Sequence, residues 1–203
     1  MTIRHANLPL MISVLTVGVI VISNLIVPTP AFAATGKESV EKLVAIFKGW
    51  DANSASAKVF ADASGYIDYG SMSEQALGAD QWGKLKPAER ADFTTALRKL
   101  VEERYYPRWR KLFSKGTLTY GKESSAHGDI MLDTTLKVNQ KSQEVFWQLD
   151  NKGAQPKVIS LKVDDKDLLS RLHERISPRL QKSGFKSLLS WLQNKAAKET
   201  DSN

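Results

Sequence analysis

Apolar positions along the chain follow two rhythms, and the change between them divides the sequence. Val40, Leu43, Val44, Phe47 and Trp50 recur at steps of three and four, so the spacing predicts a helix from Ser39 to Trp50. Asp51 to Ala63 is small and polar and reads as a loop entering a short helix. Asp68 and Ser71 are each placed to cap a short helix carrying Met72, Ala76 and Leu77, which Gly78 ends. Pro87 suits the first turn of the next helix, with Glu89 at its positive end. Phe93, Leu97, Leu100, Val101, Tyr105, Trp109, Leu112 and Phe113 then form one stripe that continues across Pro107. An interior proline costs about 3 kcal/mol. The expectation is one helix bent near Arg104 to Pro107, or two helices nearly in line.

From Thr117 the period becomes two. Ile130, Leu132, Thr134, Leu136 and Val138 alternate with more polar neighbours, as a half-buried strand does. Asn139 to Ser142 reads as a turn, and Val145, Trp147 and Leu149 as the returning strand. After the Asp150 to Gly153 turn comes a strand at Val158 to Val163, and Thr117 to Lys122 is a fourth. Short turns between successive strands imply an antiparallel, twisted sheet. Helical spacing returns with Leu168, Leu169, Leu172, Ile176 and Leu180, capped by Asp167 and interrupted at Pro178. Gly184 breaks it before a last short helix with Phe185, Leu188, Leu189, Trp191 and Leu192, and residues 196–203 read as a disordered polar tail. Helices, a meander, then helices describe a single α+β domain over residues 34–203.

The first 33 residues stand apart. Arg4 and His5 precede an apolar run from Leu8 to Ile26, Pro28 and Pro30 break it, and Ala31-Phe32-Ala33 supplies small residues for a signal peptidase. The sequence predicts cleavage after Ala33; the rival reading, an uncleaved anchor, is weakened by Pro9 and Asn24. The chain contains no cysteine, which removes disulfides, thiolate metal sites and a cysteine nucleophile, so the exported domain is held by its core. A formal charge of +7 suits anionic partners, but no nucleic-acid-reading motif accompanies it.

Catalytic chemistry finds little support. There is no G-x-S-x-G elbow and no phosphate-binding glycine loop. His127 stands beside Gly128-Asp129 in a predicted turn, and His173 lies too far away in sequence to make a metal site by spacing. Glu102 and Glu103 point about 100° apart on a helix and do not converge. Arg104, Arg108, Lys111 and Lys115 line one helical face beside the Tyr105–Trp109–Leu112 stripe. Such a face either rims a site for a phosphate-bearing lipid or anionic surface, or covers the edge of its own core with long basic stems.

The run ALG-(x3)-W-(x4)-PAE-(x3)-F-(x3)-L-(x3)-V-(x3)-Y, Ala76 to Tyr105, resembles the MlaC or toluene-tolerance family of periplasmic phospholipid-binding proteins. Tyr66-Ile67-Asp68, Val158 to Leu168, and Leu180, Gly184, Leu188 and Leu192 resemble the family's flanking elements in order. The chain departs from the pattern in the three residues between Gly78 and Trp82, in Ser160-Leu161, in Asp165 and Asp167, and in His173. The resemblance implies an NTF2-like fold, a curved antiparallel sheet of about four strands with N- and C-terminal helices around an apolar cavity. It implies a periplasmic carrier that moves phospholipid between membranes and maintains outer-membrane lipid asymmetry, with neither cofactor nor catalysis. Its partners would be an inner-membrane ABC transporter complex with an MCE-type component and an outer-membrane lipoprotein complex. Two acyl chains of about sixteen carbons cost roughly 25 kcal/mol to expose to water, at about 0.8 kcal/mol per methylene. The expected lipid wall is Leu97, Val101, Tyr105, Trp109, Phe113, Leu132, Leu136, Trp147, Ile159 and Leu161, with Arg104, Arg108 and Lys111 as the headgroup or docking rim. Phe146 and Trp147 alternate along a strand and cannot both point inward. The rivals are an NTF2-like enzyme using Asp129, His127 or Tyr120, and a ligand-free docking subunit.

Overall fold

The computed structural model describes residues 35–51 and 56–200, with side chains to residue 197. The expected signal segment and its cleavage after Ala33 lie outside the described residues. Helix α1 (Gly36–Gly49) begins with a capping box: Glu38 N–H donates to Thr35 Oγ1 at 3.1 Å, and Thr35 N–H donates to the Glu38 carboxylate at 3.0 Å. Its stripe of Val40, Leu43, Val44 and Phe47 is buried. After α2 (Ser56–Ser64), Asp68 caps α3 (Tyr69–Leu77) by accepting from Ser71 N–H at 2.9 Å, so Ser71 lies inside the helix. Gly78, at φ +89°, ends α3 and leads into α4 (Ala79–Lys84).

The long stripe divides into two helices, α5 (Pro87–Arg104) and α6 (Tyr106–Phe113), separated at Tyr105. Pro107 donates no hydrogen bond, and its ring crowds the carbonyl one turn back. The break advances the buried face by one residue. Tyr106, Trp109 and Phe113 point inward, whereas Tyr105, expected on the stripe, is only half-buried.

Five strands form an antiparallel sheet in the order β1-β2-β3-β4-β5: β1 (Thr117–Ala126), β2 (Asp129–Val138), β3 (Lys141–Asp150), β4 (Lys157–Val163) and β5 (Lys166–Asp167). The fifth, two residues long, adds to the four expected. Two-residue turns join β1 to β2 and β2 to β3, with His127 (φ 54°), Gly128 (φ 89°) and Asn139 (φ 56°) in the left-handed region that such hairpins use. β1 runs beyond Lys122 because a bulge between Tyr120 and Glu123 keeps it paired. Gly121 sits there because a Cβ would lie 2.9 Å from the Asp133 carbonyl oxygen. Leu132, Trp147 and Leu161 are register partners across β2, β3 and β4, and so share one face.

α1 lies on this sheet and packs against α6, whereas α5 packs chiefly on α7 (Leu168–Thr200). Leu97 and Val101, expected in one wall with the sheet residues, therefore belong to a second helical layer, and α1 covers the sheet directly. Asp167 caps α7 by accepting from Ser170 N–H at 2.7 Å. The helix continues through Pro178, where an interruption was expected, and breaks at Gly184 (φ 73°). Twelve residues of straight helix span about 18 Å. The Arg179 guanidinium nevertheless stands 4.3 Å from the Trp191 ring centroid, so the two halves fold back on each other. The second half runs past Ala196, which is buried, to Thr200, beyond the point where a polar tail was expected to begin.

Candidate functional site

Where α1 and α6 cover the sheet, the interior is aromatic and closely packed. Phe47 meets Tyr106 and Trp109 edge-on at 4.9 and 5.7 Å, and Phe113 stacks on Trp147 at 5.6 Å. Two polar side chains of the sheet satisfy each other here: Trp147 Nε1–H donates to Thr134 Oγ1 at 2.9 Å, and the Thr134 hydroxyl donates to the Val145 carbonyl at 2.8 Å. The Tyr69 and Tyr106 hydroxyls bond each other at 2.5 Å, and burial raises both phenols above their ordinary range. Of the ten residues expected to wall a lipid site, nine are buried: Trp109, Phe113, Leu132, Leu136, Trp147, Ile159 and Leu161 of α6 and the sheet, and Leu97 and Val101 in the second helical layer. Phe146, on the opposite face, lies under Lys162 at 5.0 Å.

Open space lies beside this core. A cleft of about 1120 Å³ runs between α6 and the β2–β3 hairpin, with Leu112 and Val138 as apolar lining. Drug-sized ligand pockets hold about 300–1,000 Å³, so this one suits something larger. Arg108, Lys111, Lys115 and Lys141 supply four cations around it. The facing carboxylate, Asp164, accepts from Gln143 Nε2 at 3.3 Å. Arg108 is steadied over the Tyr105 ring at 5.9 Å. Of the expected rim, Arg108 and Lys111 line the cleft. Arg104 is half-buried at the end of α5, outside the lining. The hairpin residues Val138 to Gln143 were missed as a site because the sequence there signals only a turn, with nothing to place it opposite α6.

One row of side chains runs from the cleft into the packed interior along β2. Val138, Leu136, Thr134 and Leu132 lie on one face of the strand, the first lining the cleft and the last fully buried. Six steps along the strand make this row about 20 Å long. Gly116, between α6 and β1, sits at the junction: a Cβ there would approach Leu136 Cδ1 to 2.7 Å and the Lys137 carbonyl oxygen to 2.9 Å.

Groups that could serve acid–base catalysis are dispersed. Burial pushes the Tyr120 phenol up to about 12, with the Glu41 charge adding to the effect. His127 forms the β1–β2 turn, six or more strand residues and about 20 Å from Tyr120. Asp129 accepts from Gln148 Nε2 at 2.7 Å, and the exposed His173 places Nδ1 3.1 Å from the Ala76 carbonyl oxygen. Among the described residues, no group of three or more histidines and carboxylates could hold a metal ion.

The MlaC protein family matches residues 37–194, nearly all of the described domain. The chain belongs to the MlaC family. The fold is similar to that of a phospholipid-binding protein from Ralstonia solanacearum, solved in complex with a phospholipid. The TM-score is 0.68 at 17% identity, over 81% of this chain and 96% of that one. That likeness fixes the architecture as an α+β fold with an antiparallel sheet in an MlaC-type protein. No curated protein matches the sequence at a significant level.

Proposed function

We propose that this MlaC-family protein is a periplasmic phospholipid carrier. It holds one lipid with the phosphate at the basic cleft and the acyl chains running inward, and it transfers lipid without breaking bonds. The observation that carries the reading is the buried, largely apolar row of β2, about 20 Å long, ending at a cleft ringed by four cations. One bilayer leaflet offers acyl chains about half of a hydrocarbon core roughly 30 Å thick, so the row is deep enough to replace it. Leu136 and Phe113 are the first buried side chains beyond the cleft; Trp147 lies level with Leu132, deeper along the sheet, and lipid uptake parts its stack on Phe113. Trp109, Leu132, Leu161 and Ile159 wall the deeper part, with Leu97 and Val101 behind them.

The family supports the remaining features of the reading. Lipid passes between an inner-membrane ABC transporter complex with an MCE-type component and an outer-membrane lipoprotein complex, and the N-terminal 33 residues direct export. Native mass spectrometry of gently purified exported protein tests the proposal. A diacyl lipid near one-to-one is expected. Protein that stays empty even after incubation with phospholipid vesicles overturns the carrier reading in favour of a docking subunit.

A further inference from the structure

The fold-back of α7 builds a second basic surface that the cleft does not use. Between Leu168 and Ala197 the chain carries six lysines and arginines and one carboxylate, Glu174. Arg171, Arg175, Arg179 and Lys182 fall within an arc of about 80° on the first half of the helix, at 3.6 residues per turn. All four are exposed, and none has an ion-pair partner among the described residues. Like charges at i, i+4 repel, so Arg171, Arg175 and Arg179 work against the helix that carries them. Glu174 points about 60° away from the arc. A groove of about 440 Å³ separates Arg175 and Arg179 from Trp191 and Lys195 of the second half, and Arg179 stacks on the half-buried Trp191 ring.

We propose that this face of the α7 hairpin docks the protein onto an anionic phospholipid bilayer. Four unpaired cations on one exposed arc complement a sheet of phosphates, and an acidic polypeptide would be the alternative occupant. Trp191 decides between them. Its indole is anchored at the core on one side and open to a groove of headgroup size on the other, the arrangement by which Trp with flanking Arg settles at a membrane–water boundary. The inference rests on the carrier reading, because a carrier has to reach the bilayer to exchange its cargo.

Sedimentation of protein recovered from the exported fraction with lipid vesicles tests it. Vesicles of phosphatidylcholine with about a third phosphatidylglycerol are expected to bind the protein at moderate salt, and pure phosphatidylcholine vesicles are not. At about 1 kcal/mol per basic side chain near an anionic surface, Arg175→Gln with Arg179→Gln should weaken binding roughly thirtyfold. The same charge change at exposed Lys42 and Lys99, as Lys42→Gln with Lys99→Gln, should leave binding within about twofold. Trp191→Phe should weaken it less than the double arginine change does. Binding that is equal on neutral vesicles, undiminished in the arginine variant, or absent altogether overturns the proposal; in the last case an acidic protein is the better partner. Lipid content, measured on the wild type, separates this inference from the carrier reading. Empty protein that binds anionic vesicles retains docking without cargo, and loaded protein that ignores vesicles retains cargo without docking.

Discussion

The two ends of the sheet face their helices differently. At the Asp150 end of β3, the Asp150 carboxylate accepts from Ser71 Oγ at 2.8 Å, from Lys152 Nζ at 2.8 Å and from the Lys152 backbone N–H at 2.6 Å. The seam is pinned to α3. At the Lys141 end, about 30 Å away along the strand, α6 and the hairpin stand apart around the cleft, with Asp164 as the carboxylate among four cations. One end is tied by a shared acid and the other stands open among like charges. The contrast teaches that the side chains most suited to surround a lipid are not those that surround free space. The aromatics fill their own volume, so the guest proposed above would have to displace them from the open end.

The comparison can be broken at its centre. Trp147→Ala removes the ring stacked on Phe113 and leaves Thr134 without a donor, so it should cost about 3–5 kcal/mol in denaturant unfolding. A loss under about 1 kcal/mol would mean that the seam is not packed as described. Gly116→Ala forces a methyl against Leu136 and the Lys137 carbonyl; overpacking of that kind costs about 1–3 kcal/mol. It should also narrow the cleft, so lipid uptake should slow along with the loss in unfolding midpoint.

The tied end has a pH signature. Burial alone would raise the Asp150 carboxyl, but hydrogen bonds from the Lys152 side chain, the Lys152 backbone and Ser71, together with the Lys152 charge, hold it below the ordinary carboxylate value. A group depressed on folding stabilises above its unfolded pKa, and that contribution fades as pH falls through the folded one. Asp150→Asn should therefore be less stable than wild type at pH 7, and the gap should close below about pH 4. A gap independent of pH would remove the charge from the explanation. The smallest effect on stability belongs to the open end. Arg108→Glu with Lys111→Glu, both exposed, should shift unfolding by no more than about 0.5 kcal/mol. The same pair should slow lipid transfer between vesicles several-fold, and unchanged transfer would return both residues to plain surface.

Element type was legible wherever burial is one-sided. The stripe of α1 and the alternation along β2 each name a face, and the structure buries that face. Phase was not legible across Pro107. Tyr105 and Tyr106 are adjacent and chemically alike, and only the break between α5 and α6 chooses Tyr106 for the core. The partner of α5 was not legible either, since a stripe records that something covers it and not what does. Of the candidate site, Arg108 and Lys111 could be read from their spacing. The opposite wall comes from a hairpin tip whose sequence encodes only a reversal.

The sheet order β1-β2-β3-β4-β5 has a consequence for how the chain acquires its shape. Each strand pairs with the one just before it, so the sheet can assemble hairpin by hairpin with short loops to close, the arrangement that folds quickly. Helix α1 is the exception. It leads the described chain, yet it rests on strands that begin some seventy residues after it ends. As the chain folds, α6 can cover Phe47, but the sheet-facing side of α1 stays uncovered until the meander exists. The return of the first helix to the sheet closes a long loop, the kind of contact that slows folding, and an apolar face left open meanwhile favours association between unfinished copies.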